Sequence, residues 1–124
     1  MRRVCVLVPM LHPKLAELIG KILGKKWPPE EISLLHSSRS AEEARVINEK
    51  LGRKAELIEV EPKEWAKEAL NYEEIVVLAE IPKGELIKLI EKGHQKINVL
   101  VWQACKVHGK SERRENIKLE VVGV

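Results

Sequence analysis

The side chains best equipped for chemistry in this 124-residue chain gather in four short polar stretches, each following an apolar run. His12 and Lys14 come after residues 4–8, and His36, Ser37, Ser38, Arg39 and Ser40 come after 32–35. Residues 80–84, with Glu80, Lys83 and Gly84, follow the run that begins at Ile75, and Gln103 to Lys106 follow 97–102. Together they offer imidazoles, hydroxyls, lysines and an arginine, but a single carboxylate, Glu80. Donors and cations of this kind suit a phosphate or another anion, held by charge-assisted hydrogen bonds and helix N-terminal amides.

Taken singly, each of these residues has an ordinary explanation. Ser40 and Glu43 have the S-x-x-E spacing of a capping box, in which each side chain satisfies an amide of the first helical turn. Arg39 and Lys14 are the sort of charge that normally lies in solvent. Lys83-Gly84 opens a helical segment where glycine permits close backbone approach and lysine can meet a phosphate, although the pair is common. Glu80 is a general-base candidate and, more simply, a helix cap. Cys105-x-x-His108 has the spacing of half a zinc site, but no second half exists, so no metal is expected. A Cys105 nucleophile served by His12 or His108 is an alternative chemistry. Trp102 could stack on a base, with packing as the default. Only convergence on one edge would make the set a site.

The elements that would bring about such convergence are legible in the pattern. Residues 4–8 are continuously apolar, as a central parallel strand covered on both faces should be. Pro13 suits the first position of a helix through Leu18, Ile19, Ile22 and Leu23, which Gly24 is expected to end. A second strand over 32–35 leads through the polar turn to a helix from about Ser40, closed by Gly52. Ala55, Leu57, Ile58 and Val60 predict a third strand, mixed enough to be a sheet edge. Pro62 starts a short helix through Trp65, Ala66, Ala69 and Leu70, and 75–80 give a fourth strand. A helix through Leu86, Ile87, Leu89 and Ile90, ended by Gly93 with His94 beyond it, precedes a fifth strand over 97–102. The last strand, over 117–124, leaves no room for a crossover helix, so it predicts an antiparallel hairpin with a long basic connection. The sum is one α/β domain over 1–124: a Rossmann-like three-layer fold, with a mostly parallel sheet of about five strands and a C-terminal antiparallel β-hairpin. Right-handed crossovers then set all four polar stretches at one sheet edge.

Composition narrows the chemistry. All nineteen acidic residues are glutamate, and there is no aspartate, threonine or phenylalanine. Mg²⁺ sites on such sheets favour short strand-end aspartates, so Mg²⁺-dependent catalysis is disfavoured. Neither G-x-G-x-x-G, nor a P-loop, nor G-x-S-x-G occurs, which argues against dinucleotide binding, P-loop chemistry and an α/β-hydrolase. A net charge of +3 does not call for duplex nucleic acid, and the basic stretch 106–114 reads as a solvated hairpin tip. Two cysteines and no membrane-length apolar run point to a cytoplasmic protein with reduced thiols and no membrane partner. Abundant Lys and Glu with few Asn and Gln fit a thermophile.

A Rossmann-like domain with a terminal hairpin, "HSSRSAEEA" after the second strand and "PKGEL" after the fourth resembles the CARF domains of CRISPR-associated proteins, over nearly the whole chain but mostly as a pattern. The resemblance implies a homodimer binding a cyclic oligoadenylate, with no cofactor. It implies that Leu11, His12, Pro13 and Lys14 form one ligand loop, Ser37, Ser38 and Arg39 another, and Ile81, Pro82, Lys83 and Gly84 a third; the polar stretches themselves add His36 and Gln103 as ligand-binding candidates. It further implies ring cleavage without metal by some members, for which Lys83, Lys106 and Lys14 are the candidate cations and His12 or His36 the proton carrier. The chain departs from the family in having "EIPKG" where many members have a Gly-Gly-Thr-like turn. The alternative is a non-catalytic Rossmann-like subunit that binds a nucleotide or a protein partner.

Overall fold

The computed structural model describes residues 3–78 in full and the backbone of 97–106 and 113–122. At its centre is β1 (Val4–Val8), buried at all five positions. A strand covered on both faces needs no polar alternation, which is why its sequence shows none. β2 (Ile32–His36) pairs parallel to one side of β1 and β4 (Glu74–Leu78) parallel to the other. β3 (Glu56–Glu59) lies outside β2, and β5 (Ile97–Lys106) lies outside β4, both parallel. β6 (Arg113–Val122) completes the far edge antiparallel to β5, giving the order β3-β2-β1-β4-β5-β6. The chain is therefore an α/β, Rossmann-like three-layer domain, and the expected terminal hairpin is present. β3 is an edge strand, exposed or half-buried throughout, as its mixed sequence predicts.

α1 (Pro13–Lys26) and α2 (Ala41–Lys50) cover one face of the sheet, and α3 (Pro62–Ala69) covers the other. Right-handed crossovers explain the division: the chain steps outward from β1 to β3 over one face and must return over the opposite face to reach β4. Leu15, Ala16, Ile19 and Leu23 of α1, with Ala44, Ile47 and Leu51, close over Val4, Val6, Val8, Ile32 and Leu34. Trp65, Ala66 and Ala69 close over Cys5, Leu7, Leu35, Ile75 and Val77. The Trp65 indole N–H donates to the Val60 carbonyl at 2.7 Å, and that of Trp27 to Glu74 Oε2 at 3.1 Å, so both tryptophans tie element ends together.

Two sequence expectations change here. Gly24 does not end α1, which continues to Lys26, where the Trp27 amide donates to the Leu23 carbonyl. Gly20 and Gly24 instead share the face turned to α2: a Cβ on Gly20 would lie 2.7 Å from Lys50 Cβ and 2.9 Å from the Ile47 carbonyl oxygen, and one on Gly24 3.3 Å from Leu51 Cδ2. Glycine is there for close helix approach, not as a stop. The second change concerns the hairpin. Positions 103–106 are not a loop but the end of β5, paired in unbroken register with 113–116 of β6. Cross-strand pairing satisfies a backbone whatever its side chains, so a polar sequence did not end the strand. Gly52, by contrast, closes α2 as expected at φ 71°, with its amide donating to Glu49 and that of Arg53 to Asn48. The expected helix over 82–93 lies outside the described residues.

Candidate functional site at the C-terminal edge of the sheet

The loops leaving β1 and β2 meet at the C-terminal edge of the sheet. The first carries Met10, Leu11 and His12 into α1, where Pro13 holds the first helical position and His12 is the N-cap. His12 Nδ1 accepts the Lys14 amide at 3.2 Å, a cap unusual enough in residue type that the sequence did not announce it. That contact requires an unprotonated Nδ1 and leaves Nε2 to face outward chemistry. Lys14 is exposed beside it.

The second loop is a turn closed by its own serines. The Ser40 amide donates to the Ser37 carbonyl at 3.2 Å, and the Ser37 amide donates to Ser40 Oγ at 2.9 Å. The two hydroxyls lie 3.2 Å apart, and the Arg39 amide donates to Ser37 Oγ at 3.2 Å. The expected Ser40–Glu43 capping box is therefore absent. Ser40 has φ −116° and ψ 19°, not the extended backbone that aims an N-cap hydroxyl at the helix, and its side chain makes no cap bond. Glu43 reaches instead across to the first loop, where its Oε2 accepts the Leu11 amide at 3.1 Å. Met10, Leu11, His12, Leu15 and Glu43 line an open groove of about 310 Å³.

The expected site residues thus separate into groups. Leu11 and His12 come together with the first turn of α2 at Glu43, and Pro13 and Lys14 follow at the start of α1. Ser38 and Arg39 are exposed at the tip of that turn, whereas Ser37 is buried and its hydroxyl is occupied within the loop. His36, only 7% exposed at the end of β2, donates through Nδ1 to the Ser37 carbonyl at 3.0 Å. Gln103 and Lys106 belong to β5, correcting their placement in a loop after it. Ile81, Pro82, Lys83 and Gly84, with Glu80, lie outside the described residues, as does His108. Glu43 and Met10 were not expected at the site; the only hint was a glutamate three residues after the cap, which the capping-box reading absorbed.

Electrostatically, this edge combines Lys14 and Arg39 with one inward carboxylate, Glu43. Glu42, beside it on α2, is exposed and hydrogen-bonded to Arg45, which holds its carboxyl below the usual range. Among the described residues no group of three His, Cys or Glu side chains is placed to hold a metal ion, and no helix is long and apolar enough to cross a membrane. Cys5 lies far from any such role: burial pushes its thiol well up.

No protein-family model matches the chain, and no curated protein does. Among solved structures it is similar to the X-ray structure of a sugar N-formyltransferase from Shewanella sp FDAARGOS_354, with 12% identity and a TM-score of 0.42. The match covers 97% of this chain and 51% of that one, so the chain spans about half the length of that enzyme. So distant a likeness assigns no activity.

Proposed function

We propose that the chain is a cytoplasmic, homodimeric, CARF-like binder of a phosphate-bearing ligand of the cyclic oligoadenylate class, held at the C-terminal edge of the sheet. The observation that carries this reading is the strand order, which reverses at β1: the chain moves outward through β2 to β3, then returns to β4 on the other flank. In open parallel sheets the crevice at such a switch point is where ligands bind. The loops after β1 and β2 at that edge carry Lys14, Arg39 and the Ser38 hydroxyl, all exposed, which suits phosphate oxygens. The His12 Nε2–H, left by the Nδ1 cap, suits a hydrogen bond to a phosphate oxygen. Cleavage of the ring would need only in-line attack of a ribose 2′-hydroxyl on the adjacent phosphate, forming a cyclic phosphate and releasing a 5′-hydroxyl. Binding without cleavage is favoured by one feature, the burial of the Ser37 and Ser40 hydroxyls within the turn, where they accept the Arg39 and Ser37 amides and one donates to the other.

The test is a thermal shift in metal-free buffer with cyclic tetra-adenylate and its linear counterpart, since a native-state binder raises the midpoint by mass action. A rise with the cyclic ligand, reduced in Arg39→Ala and Lys14→Ala, is expected. No rise at about 100-fold excess over a micromolar affinity, where about 2.7 kcal/mol would be gained, rejects the reading. Radiolabelled ligand incubated with the same protein separates cleavage from binding.

A further inference from the structure

The two edges of the sheet are protected very differently. β3 is four residues long, bears exposed Glu56 and Glu59, and is followed closely by Pro62. Those are the usual devices that stop an edge strand from pairing with another chain. β6 also carries charges, at 113–115, 118 and 120, but it is neither short nor closed by a proline. It runs for ten residues, contains no proline, and its register against β5 is unbroken from Arg113 to Val122, with no bulge to twist the edge away.

We propose that β6 is the joint between two copies of this chain, paired antiparallel edge to edge with Leu119 on the twofold axis. Directly opposite residues in an antiparallel pair share a face, so a twofold axis relating two identical strands must pass through a residue set opposite itself. With Leu119 in that position, Ile117 falls opposite Val121 of the second copy, and Lys118 opposite Glu120, each twice by symmetry. Within 117–121 every apolar position meets an apolar one and every charge its opposite. Neighbouring registers lose this match. An axis at Lys118 or at Glu120 sets like charges opposite each other; one at Asn116 sets Arg114 opposite Lys118; one at Ile117 sets Glu115 opposite Leu119. Like charges directly opposite are destabilising, which disfavours the axes at 116, 118 and 120, and the axis at Ile117 leaves Leu119 without an apolar partner although it pairs Arg114 with Glu120, so the Leu119 register is the better matched. The result joins two six-stranded sheets into one. This joint lies at the side of the sheet, leaves the C-terminal edge of each copy open, and does not rest on what that edge binds.

The test is the mass of the full-length protein by sedimentation, with circular dichroism as the check on folding. The wild type is expected at twice 14.2 kDa at about 100 µM, a concentration typical for interfaces of modest size. Lys118→Glu sets glutamates opposite Glu120 and is expected to weaken the dimer at least tenfold, as is Glu120→Lys. The double variant, with the charges exchanged, is expected to recover it. A monomeric wild type, single variants that dimerise as the wild type does, or a double variant no better than the singles would each overturn the β6 joint. The thermal shift with cyclic tetra-adenylate on the same variants reports on the ligand reading separately, because residues 118 and 120 are not at the C-terminal edge loops.

Discussion

On one face of the sheet α1 and α2 close over Val4, Val6, Val8, Ile32 and Leu34 with a tightly packed apolar cluster. On the other face α3 lies over Cys5, the register partner of the fully buried Ser33, with Tyr72 at the border of the cluster. The first face gains stability from close packing. The second holds groups that titrate, and burial pushes both the Cys5 thiol and the Tyr72 hydroxyl upward. Ser33 Oγ has no partner in hydrogen-bond geometry, so its interaction with Tyr72 is weak and only partly opposes that shift. One fold thus carries a packing-limited face and a polarity-limited face, and they fail under different conditions.

Overpacking the first face has the largest expected effect. Gly20→Leu must push α1 away from the Ile47 carbonyl and Lys50, and is expected to cost about 3 kcal/mol in urea unfolding, despite leucine's better helix propensity. A stable Gly20→Leu would show that the two helices are free to separate. Alkaline pH probes the second face. Cys5 and Tyr72 have folded pKa values raised above their ordinary 9.0 and 10.0, so on raising the pH the unfolded chain loses these protons first. Their contribution is complete below about pH 9 and falls as the pH rises beyond it. Tyr72→Phe is expected to flatten that decline in unfolding curves taken between pH 8 and about 11, while no substitution confined to the α1–α2 face should do so. The smallest effect is expected at Ser33. Ser33→Ala removes a buried hydroxyl that lacks a well-formed bond, and should leave stability unchanged or raise it by up to about 1 kcal/mol. A loss of more than that would mean the Ser33–Tyr72 interaction is stronger than its geometry.

The frame of the fold was legible because its signals are redundant. The unbroken apolar runs at 4–8 and 75–78, Pro13 and Pro62 at helix starts, and Gly52 at a helix end each agree with their neighbours, and the structure contains them all. Three local readings failed, each where a residue type serves two purposes. Gly24 fits both a helix stop and a close helix approach, and only the position of α2 decides between them. Ser40 and Glu43 have the spacing of a capping box, but the dihedral angles of Ser40 turn its hydroxyl back to Ser37 and free Glu43 to hold Leu11. Gln103 to Lys106 are polar enough for a loop, yet β6 continues alongside them. At the candidate site the sequence located the loops, while the division of labour within them, buried Ser37 against exposed Ser38 and Arg39, came from geometry that no spacing encodes.

The close approach at Gly20 has a kinetic side. Where two backbones nearly touch, solvent reaches the intervening amides only when the helices part, so hydrogen exchange should be slowest in β1, β2 and the facing turns of α1 and α2. The eight-residue helix α3 should open sooner. Both described loops of the candidate site are rooted in the slow block. They therefore keep their shape through the fluctuations that release α3, and a ligand arriving at that edge meets a surface already formed.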